Sequence, residues 1–104
     1  MARKDKLALQ SLLEQIIRHL LLIQYWEEEK ERNSRHWHSE VISFRYQINR
    51  RMTKNLFNYL DNNLSLIYTK ARRYVMDKSG VDTFPLECTY SLDKLLDEDW
   101  FPLS

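Results

Sequence analysis

Few residues in this chain are equipped for chemistry, and they fall in short runs. Arg32-Asn33-Ser34-Arg35-His36-Trp37-His38 places two imidazoles and two guanidinium groups within seven positions. Imidazole moves protons near neutral pH, and the guanidinium fork matches phosphate oxygens. Asp97-Glu98-Asp99 clusters three carboxylates of the kind that hold Mg²⁺ or Ca²⁺. Adjacent helical residues point to different sides, and no glycine-bearing, oxygen-rich loop accompanies them. A solvated helix end is therefore expected, and no metal site. Cys88, beside Glu87, is the only thiol, with His19 a distant neighbour. No base stands at a fixed distance from it, so a buried thiol is expected before a nucleophile. His19 borders an apolar stripe and reads as a boundary histidine bonded to a carbonyl.

Charge is distributed unevenly. The whole chain carries a formal +1, which gives no global case for a polyanion partner. Between Arg32 and Lys54, however, Arg32, Arg35, Arg45, Arg50, Arg51 and Lys54 face one acid, Glu40, for a net +5. Trp37 and Tyr46 interleave, as on a strip that tracks a nucleic-acid backbone. Asp82 to Asp99 carries a net −5. The basic and acidic stretches are expected to pair with each other, within the chain or across a dimer, ahead of any nucleic acid. Surface ion pairs contribute little each, so docking of the acidic tail should rest on Leu95, Leu96, Trp100 and Phe101. Tyr25, Trp26, Tyr46, Tyr68 and Tyr90 suit an interface or a core equally.

The elements that must position these residues are helical. One glycine and two prolines in 104 residues leave too few breakers for a sheet protein. The spacing of Leu9, Leu12, Leu13, Ile16, Ile17, Leu20, Ile23 and Trp26 predicts a first helix over residues 5–30, apolar on more than one side and central to the bundle. Glu27 to Arg32 reads as its solvated exit. Asn33 and Ser34 are candidate N-caps for a second helix over 34–60, with Trp37, Val41, Phe44, Ile48, Met52, Leu56 and Tyr59 inward. A third follows over 63–79, built on Leu64, Ile67, Ala71, Tyr74 and Val75 and ended by Gly80. Pro85 biases Phe84 away from helix. Ser91 caps a short helix over 91–97, and Trp100-Phe101-Pro102-Leu103 forms an apolar plug. The expected fold is a single all-α domain, an antiparallel bundle of three long helices plus a short C-terminal helix and an extended strap.

Thr83-Phe84-Pro85, Glu87-Cys88, Tyr90, Leu92 and Leu95-Leu96-Asp97-Glu98-Asp99-Trp100-Phe101-Pro102 resemble the C-terminal signature of domain-of-unknown-function family 29. His19-Leu20-Leu21, Gln24-Tyr25, Arg32, Ser34-Arg35, Trp37, Ile42, Arg45 and Ile48 follow that family's spacing, so the resemblance spans residues 8–102. It implies a helical fold of bacterial, largely cyanobacterial, distribution and carries over no catalytic residue. Typical members have a further N-terminal helical segment, and they lack histidines beside the tryptophan. Without that segment the first helix would leave apolar surface uncovered. A homodimer packing on Leu9, Leu13, Ile16, Leu20, Tyr25 and Trp26 is the expected remedy.

Arg32 and His38, with five residues between them, are also similar to the short motif of HEPN ribonucleases, which are small helical dimers. That resemblance implies acid–base work for His38 and phosphate steadying by Arg32, with His36, Arg35 and Asn33 assisting. The 2′-hydroxyl would be the nucleophile, and no metal would be needed. Arg35, Arg45, Arg50, Arg51 and Lys54 would then contact the nucleic-acid backbone. The plainer alternative is an exposed helix start, Trp37 inward and both histidines in water.

The expected function is a non-enzymatic, homo-oligomeric protein-interaction module, with homodimerisation or a protein partner as its mode of action. The alternative is a metal-independent ribonuclease, or the partner that restrains one in a toxin–antitoxin-like pair. No cofactor is expected. The lone cysteine suggests a cytoplasmic setting, and no apolar run approaches the roughly 20 residues of a membrane span.

Overall fold

The computed structural model describes residues 2–102. Among them the fold is all-helical, without strands, in five helices: α1 (Ala2–Tyr25), α2 (Glu27–Asn49), α3 (Lys54–Asn62), α4 (Leu64–Ser79) and α5 (Leu92–Leu96). None is long and apolar enough to cross a membrane. Leu103, expected in the C-terminal plug, lies outside the described residues.

α1 touches every other helix. Leu9, Leu13, Ile16 and Ile17 are fully buried, and Leu20, Leu21, Leu22 and Ile23 are buried in succession. Four consecutive buried residues sweep the whole circumference of a helix, so the second half of α1 is enclosed on all sides. This corrects the expected interface. Leu9, Leu13, Ile16 and Leu20 are the internal core, covered by the chain's own helices, and Tyr25 and Trp26 pack against it half-buried. Among the described residues of α1, Leu7 is the one large apolar side chain left exposed, and alone it forms no stripe for a second copy to cover.

Helix boundaries depart from expectation at two places. The chain breaks at Trp26 (φ −93°, ψ 76°), and Glu27, Glu28 and Glu29 form the first turn of α2. Three carboxylates at a helix N-terminus complement the unpaired amides there. They therefore belong to the start of α2 and not to the exit of α1. Trp26 holds the break by stacking on Trp37, with centroids 5.9 Å apart and planes 17° from parallel. Asn33 and Ser34 accordingly lie inside α2 and cap nothing. Asn33 instead donates to Glu29 Oε1 at 2.9 Å. The second departure is at Arg50–Thr53, where the expected long helix divides. Thr53 is an extended N-cap whose hydroxyl accepts from the Leu56 amide at 3.2 Å, a contact typically worth about 1 kcal/mol.

Further along, the local signals and the structure coincide. α3 runs through Asp61 and Asn62, and a one-residue break at Asn63 separates it from α4. Gly80 takes φ 74° and donates its amide to Met76 O at 2.9 Å, a left-handed terminus that favours glycine. Ser91 caps α5, accepting from the Lys94 amide at 3.3 Å. Residues 81–91 are non-helical and, together with α5 and residues 97–102, make up the C-terminal strap. Phe84 and Tyr90 anchor it in the core, the first edge-on to Tyr25 at 5.8 Å. The Tyr90 hydroxyl donates to Gln24 Oε1 at 2.7 Å, and that of Tyr68 donates to Pro85 O at 2.5 Å.

Candidate functional site

The C-terminal signature is organised around one side chain. Arg45 lies on the inward face of α2, between Val41 and Ile48, and is fully buried. A guanidinium group taken out of water needs acceptors for its donors. Arg45 finds them at the end of α5: Nε donates to Leu95 O at 2.8 Å, Nη1 to Trp100 O at 2.7 Å and Nη2 to Lys94 O at 3.1 Å. The C-terminal carbonyls of a helix carry partial negative charge and suit a cation. Phe101 lies 5.1 Å from the guanidinium carbon. Burial pulls the Arg45 pKa down to about 10, opposed by the nearby Asp97, Glu98 and Asp99 carboxylates. It remains cationic at neutral pH.

Two neighbours complete the dock. Asn49 donates to Leu96 O at 3.0 Å. His38 donates from Nδ1 to Ser34 O at 2.9 Å and stacks on Phe101 with centroids 4.2 Å apart. The acidic tail does lie along α2. It is held by carbonyls and aromatic rings, and no α2 arginine lies within ion-pair distance of Asp97, Glu98 or Asp99. Asp97 accepts the Asp99 amide at 2.9 Å and so closes its own turn. Cys88 donates to Tyr90 O at 3.4 Å, and burial pushes its pKa up, against thiolate formation.

The residues singled out for ribonuclease chemistry are not gathered. Arg32 is exposed and His38 half-buried on one continuous helix. Six positions turn about 240° around the axis, so the two side chains leave different faces, and His38 is occupied by Phe101. No helix N-terminus lies beside Arg32, because α2 begins at Glu27. His36 points elsewhere, into the cleft described below. The expected basic strip is also divided: Arg45 is buried, Arg51 pairs with Asp5 at 3.0 Å, and Lys54 belongs to α3.

Arg32, Arg35 and Arg50 remain, and the last two belong to a different surface. Arg35, Ser39, Ile42, Tyr46 and Arg50 follow the helical repeat along the outward side of α2. All are exposed, Ile42 at 55% and Tyr46 at 59%. Arg50 sits over the Tyr46 ring at 5.3 Å, and neither arginine has a carboxylate within 4.0 Å among the described residues. The exposed acids Asp97, Glu98 and Asp99 flank this stripe, because Asn49 ties Leu96 and, at 3.4 Å, Glu98 to the adjoining face.

A second feature escaped the sequence altogether. α1, α2 and α4 enclose a cleft of about 330 Å³ lined by Gln15, Arg18, His19, Leu22, Trp26, Asn33, His36, Trp37, Tyr74 and Lys78. Arg18 pairs with Glu14 and lies 3.7 Å over the Tyr74 ring, so Tyr74, expected in the core, is instead an exposed wall at 44%. His19 donates from Nδ1 to Gln15 O at 2.7 Å, as the sequence suggested, and packs on Phe44. Burial lowers its pKa, against smaller raising effects from the Gln15 carbonyl and Glu40. Arg18 and Lys78 stand 60 positions apart in sequence, and no local pattern joins them.

A family model described as "Domain of unknown function DUF29" matches residues 1–101. No curated protein and no solved structure matches the chain.

Proposed function

The chain belongs to the DUF29 family, which assigns no activity, and we propose that it is a non-enzymatic helical interaction module that pairs with a second copy of itself through the outer face of α2. One observation carries this reading. Exposed Ile42 and Tyr46 lie between two arginines that have no carboxylate within 4.0 Å among the described residues, alongside the exposed acids of the strap. A two-fold axis across such a patch makes it self-complementary. The apolar centre covers its own image, and the basic stripe of each copy meets the acidic strap end of the other. Ion pairs left open within one chain are thereby closed between two. In the same reading the helices pack antiparallel, which the one-residue break at Trp26 and the contact of α1 with both α2 and α4 support.

Molar mass in solution tests it. Light scattering at micromolar concentration should return twice the chain mass of 12.7 kDa, and Ile42→Glu should return the single mass with helicity unchanged. A monomer at every concentration would sink the proposal.

A further inference from the structure

The cleft between α1, α2 and α4 is separate from the α2 outer face and has its own chemistry. Its lining contains one arginine, one lysine and two histidines and no carboxylate. Arg18 gives Nη2 to Glu14 and keeps 20% of its side chain exposed, so its guanidinium retains donors for an anion in the cleft. Lys78 has no carboxylate within 4.0 Å among the described residues. The cleft is also lined by the partly exposed indole of Trp26, held in place by stacking on the buried Trp37, an aromatic surface of the kind on which a planar heterocycle stacks. His19 adds an acceptor: because a carbonyl takes the Nδ1 proton, Nε2 carries the lone pair. The volume lies at the lower end of small-molecule sites.

We propose that this cleft binds a nucleoside monophosphate unit. Arg18, Lys78 and His36 receive the phosphate, the Trp26 indole receives the base, and His19 Nε2 accepts from a ribose hydroxyl. Inorganic phosphate would use only the cationic side and an uncharged nucleoside only the aromatic side. The combination selects a ligand carrying both. A free nucleotide and the end of an RNA strand share this chemistry.

Calorimetric titration of the full chain with 5′-AMP, adenosine, inorganic phosphate and a short single-stranded oligoadenylate tests the assignment. AMP should bind saturably, with adenosine and phosphate at least about tenfold weaker. Lys78→Gln alters an exposed residue in the last turn of α4. It should weaken AMP about tenfold while leaving adenosine binding and the melting temperature unchanged. An oligomer no tighter than AMP assigns the site to free nucleotide. One about tenfold tighter, and equally sensitive to Lys78→Gln, assigns it to a strand end. No saturable binding of any probe at millimolar concentration, or AMP binding indifferent to Lys78→Gln, overturns the proposal. Dimerisation is read separately by mass, so either result leaves the α2 interface standing or falling on its own.

Discussion

Replacing Arg45 by methionine isolates what holds the C-terminal signature in place. Methionine keeps the unbranched stem and its apolar contacts and removes the guanidinium donors. Three carbonyls then lose their partner: Leu95 O in a buried position, Trp100 O and Lys94 O in partly buried ones. An orphaned buried acceptor costs about 1–3 kcal/mol. Taking the middle of that range for Leu95 and the low end for the two that water can reach gives about 4 kcal/mol. The lost contact with Phe101 adds up to about 1 kcal/mol. Against this, the variant no longer desolvates a charge, which returns roughly 1–2 kcal/mol. The net loss is about 3 kcal/mol, a large share of the 5–15 kcal/mol a domain of this size holds. Thermal unfolding should shift down by about 12–24 °C. Arg45→Lys, a point charge that cannot fork to three carbonyls, should recover less than half of it. Arg73→Met on the exposed side of α4, away from the α2 face, is the control and should stay within about 0.5 kcal/mol. A loss below about 1 kcal/mol for Arg45→Met, or one equal to the control, would refute this view of the signature.

Two further outcomes follow from the same geometry. Truncation after Asp99 removes Phe101 from both His38 and Arg45 and Trp100 from Tyr90; the melting temperature should fall markedly, and an unchanged value would rule out the strap as a structural element. His19 gives a pH signature. Its folded pKa lies below the unfolded value of 6.5 because burial opposes the charged form, so the unfolded chain takes up the proton first. Stability is therefore full above about pH 6.5, is lost as pH falls from there towards the folded pKa, and loses no more from this residue below it. Melting curves of the wild type and His19→Gln between about pH 7.5 and about pH 5 should converge on acidification; parallel curves would contradict the assignment.

The sequence made the helical content legible because it depends on what is scarce, glycine and proline, and on apolar spacing that repeats over many turns. Caps with a local chemical cause were legible for the same reason: Gly80 and Ser91 sit where their backbone preferences place them. Trp26 was not legible as a break, since nothing in its type opposes helix. Its conformation is set by stacking on Trp37, eleven positions away. The acidic run after it fits the end of one helix or the start of another equally by composition, and only the direction of the helix dipole decides. Arg45 carried a usable signal: it lies on the Val41–Ile48 face of α2, where a cation is costly without partners. The expected basic strip counted its charge and missed its direction. The cleft left no trace, because Arg18, His36 and Lys78 come from three helices and meet only through tertiary packing.

The central claim, that the outer face of α2 seats a second copy, is tested most directly by charge-reversed chains weighed separately and together. A basic-face variant, Arg35→Glu with Arg50→Glu, and an acidic-end variant, Glu98→Lys with Asp99→Lys, should each scatter as monomers. Mixed, they should regain the dimer mass, because one contact is native and the other reversed in sign on both sides. Dimers from either variant alone, or monomers from the mixture, would contradict it.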